Sequence, residues 1–73
     1  MMKKWIIESG DVLMGVYEGD TREDALDAYA RDAGYESFEA MQQQVPGVVR
    51  AYAYDDLDPR RQARIRTLYP NLF

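Results

Sequence analysis

The stretch DDLDPRRQARIR, Asp55 to Arg66, sets three carboxylates ahead of four arginines. Arg60, Arg61, Arg64 and Arg66 share one short segment, and several guanidinium groups on one surface are what phosphate binding requires. Asp55, Asp56 and Asp58 offer oxygens for Ca²⁺ or Mg²⁺, yet the ligand series, central glycine and terminal bidentate glutamate of an EF-hand loop are missing. Helix capping accounts for them better. Asp58 is a good N-cap, and Pro59 stands at the first helical position, where a missing N–H costs nothing. The helix so started runs from Arg60 to about Tyr69, with Ile65, Leu68 and Tyr69 as a narrow apolar stripe. Pro70 ends it, and Arg60, Arg64 and Arg66 are expected to point largely away from the stripe.

The other ionisable concentration is acidic. Asp20, Glu23, Asp24, Asp27, Asp32, Glu36 and Glu39 face only Arg22 and Arg31 in the same segment. Pairs such as Glu23/Asp27 or Asp24/Asp27 have the spacing of acid/base partners. Nothing nearby, however, suggests a pocket that would drive two such pKa values apart. A dense anionic face can instead steer association with a basic partner, such as a nucleic-acid-binding groove. A third row, Arg50, Tyr52 and Tyr54, alternates as a base-stacking platform on a strand would. Tyrosines also fit a half-buried pleat with no ligand.

Whole-chain composition limits the choices further. With no cysteine and no histidine, thiolate and imidazole metal sites, Cys or His nucleophiles and a disulfide framework are excluded. No catalytic residue, metal site or cofactor is expected, and at 73 residues one small domain, 1–73, has little room for a buried cleft. The net charge of −4 hides a segregation. All thirteen acids lie in residues 1–58 with five basic residues, giving −8, and the four arginines that follow give +4. The apolar run at the start of the chain stops at Glu8, short of a signal peptide's apolar region and of the ~20 residues that span a bilayer. A soluble, cytoplasmic protein is the expectation.

The elements that must position these groups are legible in the pattern. KKWIIES and VLMGVYEG are β-branched and aromatic runs separated by Ser9-Gly10-Asp11, which predicts an antiparallel hairpin over roughly residues 3–18. Strict alternation puts Trp5, Ile7, Val12, Met14 and Val16 on the core face, and Ile6, Leu13 and Tyr17 on the other with Lys4, Glu8 and Gly15. GDTREDALDAYARDAG predicts a helix capped by Asp20 or Thr21 and closed by Gly34 at C′, with Leu26, Tyr29, Ala30 and Ala33 as its apolar stripe. A shorter helix begins at Ser37, runs through Phe38, Met41 and Val45, and stops at Pro46-Gly47; its Gln42–Gln44 side is expected in solvent. GVVRAYAY is a third strand, Val48, Arg50, Tyr52 and Tyr54 alternating against Val49, Ala51 and Ala53. The fold class is therefore α+β, a small three-stranded antiparallel sheet packed by helices in the order ββααβα, two on one face and the third unplaced. Ile6, Leu13, Tyr17 and Val49 on the second face then need a cover, either the arginine helix or a second chain in a homodimer.

Gly15 to Met41 resembles a group of small bacterial and phage mobile-element proteins with a hairpin, a Y-x-G-x-T turn into a helix, and A-R-D-A-G-Y leading to a second short helix. Here those positions are Tyr17, Gly19 and Thr21, then Asp24-Ala25-Leu26, then Ala30 to Tyr35. The resemblance covers a little over a third of the chain and implies fold rather than chemistry; the C-terminal arginine helix departs from it. In size and charge the chain is also similar to anti-CRISPR proteins, small phage-encoded inhibitors that bind host nucleoprotein complexes. That likeness of size and charge carries over no functional residue; with the acidic helix face it makes a non-enzymatic protein-interaction module the leading expectation, with Glu23, Asp24, Asp27, Asp32 and Glu36 of that face as electrostatic anchors. Arg60, Arg61 and Arg64 would form a second contact by bidentate pairing with a partner's acids. The alternative is a small dimeric nucleic-acid-binding regulator that uses the arginine helix.

Overall fold

Gly10, at φ +60°, makes the tight turn that lets β1 (Lys3–Ser9) fold antiparallel onto β2 (Val12–Gly19). The computed structural model describes residues 2–73. After β2 come α1 (Arg22–Asp32), α2 (Phe38–Gln44) and β3 (Val49–Ala53). A 3₁₀ turn (Tyr54–Asp56), α3 (Pro59–Leu68) and a last 3₁₀ turn (Pro70–Leu72) complete the order. The expected ββααβα arrangement is the observed one. Its sheet runs β2-β1-β3, all antiparallel, with β1 in the centre.

Strand parity departs from the sequence expectation at one point. Near the turn Ser9 faces Val12 and Glu8 faces Leu13, but beyond it Ile7 faces Gly15 and Trp5 faces Tyr17. One extra residue, Met14, is accommodated between these registers, and a bulge of this kind reverses the facing of everything beyond it. Tyr17 therefore joins Trp5 and Ile7, whereas Val16 lies opposite Ile6 on the other face. Val12 and Met14, expected in the core, are 62 % and 42 % exposed. Gly15 permits the shift: its φ is +154°, and a Cβ there would stand 3.1 Å from the Tyr17 ring.

The main core forms where α1 and α2 cover this first face. Ile7 and Ala51 from the sheet meet Ala25, Leu26, Tyr29 and Ala30 of α1 and Met41 of α2. Trp5, Tyr17, Tyr35, Phe38 and Val49 pack around them. Tyr17 and Val49 are thus covered by α1 and α2 and need no other partner. Ala33, expected in the stripe, is exposed, and Ala25 takes its share of the buried face. Gln42 is half-buried rather than solvated, because it stands one turn after Phe38 and next to the buried Met41.

Capping follows the sequence closely. Thr21 Oγ1 accepts from the Asp24 N–H and Ser37 Oγ from the Ala40 N–H. At the end of α1, Gly34 at φ +97° allows its own N–H to reach the Arg31 carbonyl and the Tyr35 N–H to reach that of Ala30, the paired closure of a Schellman motif.

The second face is covered by α3. Ile6 and Ile65 are 2 % and 6 % exposed and line one cleft with Leu13 and Tyr52, so the last helix lies on the opposite side of the sheet from α1 and α2. Gln62 Nε2 donates to the Tyr54 carbonyl at 3.0 Å, and Arg66 Nη1 donates to the Tyr54 hydroxyl. The Tyr54 ring in turn packs on Phe73, centroids 4.5 Å apart. Ile65 is the one buried residue of α3; Leu68, expected beside it, is half exposed.

Candidate functional site

The charge segregation of the sequence becomes a separation of the two helical layers. The acids of α1 and α2 lie on one side of the sheet and the arginine helix lies on the other, with Glu8 and Asp11 beside the latter. On the acidic side the end of β2 and the exposed flank of α1 enclose a shallow groove of about 350 Å³, lined by Glu18, Asp20, Asp24 and Asp27 with Arg31 as the one cation among the described residues that line it. The local sequence builds this shape. Gly19 brings β2 so close to α1 that a Cβ at that position would stand 2.7 Å from Asp24 Cβ and 2.9 Å from the Ala25 nitrogen. Trp5 Nε1 closes the same junction by donating to the Gly19 carbonyl at 3.0 Å. The residues that carry the Y-x-G-x-T pattern are therefore the pin between hairpin and helix.

The five predicted acidic anchors divide into two kinds. Glu23, Asp24 and Glu36 are exposed. Asp27 Oδ1 accepts from the Phe38 N–H at 2.8 Å and so anchors the first residue of α2 to α1. Asp32 Oδ2 accepts from the Tyr17 hydroxyl at 2.7 Å. Burial first, and the Asp32 carboxylate next, push that phenol up to about 12. Asp27 and Asp32 thus have folding roles that the sequence did not disclose, since both depend on residues distant along the chain. Glu18 and Asp20 line the groove together with Asp24 and Asp27, and Glu18 pairs with Lys4 at 3.5 Å.

On the opposite layer the arginines are less free than the sequence suggested. Arg66 is bound to the Tyr54 hydroxyl. Arg64, expected to point away from the stripe, lines the cleft beside Ile65 together with Arg61, because Ile65 is the one buried residue of α3 and its neighbours flank it. Arg60 is exposed. Asp58 caps α3 by accepting from the Arg61 N–H at 2.9 Å, and it stands 4.0 Å from the Arg61 side chain. The Arg50-Tyr52-Tyr54 row is not an open platform: Tyr52 lines the cleft under α3, and Tyr54 is engaged by Gln62, Arg66 and Phe73.

Among the described residues, no group of three or more carboxylates is placed to hold a metal ion, and no helix is long and apolar enough to cross a membrane. The groove offers carboxylates on a concave wall, suited to guanidinium and ammonium groups. No family model matches the chain, and neither the curated proteins nor the solved structures contain a match to it.

Proposed function

We propose that the protein is a non-enzymatic interaction module that acts in the cytoplasm by occupying a basic, nucleic-acid-binding surface of a host protein or nucleoprotein complex. An anti-defence inhibitor of a phage or mobile element, anti-CRISPR-like in its mode of action, is the form of this reading that we favour. The observation that carries it is the acidic groove, where four carboxylates line one concave wall with one arginine in a layer separate from the arginine helix. Such a wall presents anionic groups to cationic side chains much as a phosphate backbone does. Glu23 and Glu36 add exposed anionic groups to that of Asp24 in the groove, while Asp27 and Asp32 also hold the scaffold in shape. Arg60 extends the contact on the other layer.

Affinity co-purification of the tagged chain from its host lysate, with and without nuclease, tests the reading. A discrete protein complex that survives nuclease supports it. Recovery of nucleic acid that disappears on digestion, together with any accompanying proteins, refutes it.

A second reading, a nucleic-acid-binding regulator, draws on one observation. Lys3, Lys4 and Phe73 line a common groove, with the Lys4 ammonium 5.5 Å from the Phe73 ring centroid, a pairing of cations with an aromatic face that suits single strands. Its signature is binding that weakens steeply with salt and is lost in Lys3→Glu with Lys4→Glu.

A further inference from the structure

The structure assigns a second site, independent of the acidic groove: a small-ligand cleft between α3 and the second sheet face, suited to an apolar monocarboxylate. Its volume is about 240 Å³, below the usual ~300–1,000 Å³ of pockets for drug-sized ligands, so only a small ligand fits. The floor is apolar, formed by Ile6 and Leu13 of the hairpin with Leu57 and Ile65 from the α3 side. Since Ile65 is the one buried residue of α3 and the helix is otherwise held through polar contacts to Tyr54, it covers the sheet without filling the space beneath it.

Charge at the mouth selects the ligand's head group. Arg61 and Arg64, three residues apart on α3, line the cleft opposite Glu8 and Asp11. Glu8 stands across from Arg50 in the β1–β3 register, and the Arg50 guanidinium, held first of all by Tyr52, also feels the charges of Glu8 and Asp11. Arg61 has only a 4.0 Å approach to Asp58, and among the described residues Arg64 makes no ion pair within 4 Å. Two guanidinium groups above an apolar floor match a carboxylate on a hydrocarbon or aromatic body, with the charge-assisted hydrogen bonds at the mouth and the body against Ile6, Leu13 and Ile65.

Methyl-resolved NMR titration of the intact chain with 3-phenylpropionate, 3-phenyl-1-propanol and phenethylamine, three probes with one ring and different heads, tests the assignment. We expect saturable shifts of the Ile6, Leu13, Leu57 and Ile65 methyls with 3-phenylpropionate, at a Kd on the order of millimolar for so small a ligand. The alcohol should bind more weakly and the amine most weakly. In Arg61→Ala with Arg64→Ala, which leaves the Asp58 cap intact, the acid should lose about tenfold in affinity and the alcohol little. The assignment is overturned if the shifts do not saturate, if the amine binds as well as the acid, or if the double variant weakens acid and alcohol equally.

Discussion

The Tyr17 hydroxyl donates a 2.7 Å hydrogen bond to Asp32, joining the far end of the hairpin to the last turn of α1, while its ring meets Tyr29 edge-on at 5.7 Å. The contact exists because Met14 is accommodated as an extra residue and turns Tyr17 to the α1 face. A phenol whose pKa is pushed from the ordinary 10.0 up to about 12 keeps its proton in the folded chain after the unfolded chain has lost it. Its contribution to stability is therefore fully present below the unfolded value and is lost as pH rises through the folded one. Asp32→Asn should lower the Tyr17 pKa without returning it fully, since burial remains. Tyrosinate absorbance titrations, read as differences from Tyr17→Phe, check this. An unchanged alkaline transition in Asp32→Asn would remove the carboxylate from the account.

Gly19 is fixed by space rather than by φ. With a Cβ there meeting Asp24 and the Ala25 backbone, Gly19→Ala should destabilise the fold by about 1–3 kcal/mol, as overpacking does. Gly47, which has nothing within 4 Å of its would-be Cβ, serves as the control. In thermal unfolding Gly19→Ala should lower the midpoint by roughly 4–8 °C per kcal/mol lost, and Gly47→Ala should leave it nearly unmoved.

Asp27 and Glu23 lie one turn apart on the same helix, yet only Asp27 holds the α2 backbone. Asp27→Ala is expected to cost about 1 kcal/mol, the usual worth of such an anchor. Glu23→Ala should cost a few tenths through the α1 dipole. Denaturant midpoints distinguish them, and equal losses would contradict the division between scaffold and surface acids.

How much was legible in the sequence follows from how local each determinant is. Thr21, Gly34, Ser37, Asp58 and Pro59 act on backbone within a few residues, so the caps and the element order were readable. Facing on β2 was readable only under uniform alternation, and the bulge at Met14-Gly15 broke that assumption for Val16 and Tyr17. The cover over Ile6 was open because Ile65 and Leu68 form too narrow a stripe to choose a face; the structure places α3 there through Ile65 and Tyr54. For the site, an acidic flank on α1 was evident from composition. The contribution of Glu18, the use of Asp27 and Asp32 as anchors, and the turning of Arg61 and Arg64 into a cleft depend on long-range packing that no spacing encodes.

The central claim is that the acidic surface steers this chain onto a basic partner. It is tested most directly by the association rate with the co-purified complex, measured across ionic strength for the native chain and for Glu23→Lys, Asp24→Lys and Glu36→Lys combined. Exposed acids that steer encounter predict a native rate that falls as salt rises, and a slower, salt-insensitive rate for the triple variant. Identical rates and identical salt dependence would contradict the claim.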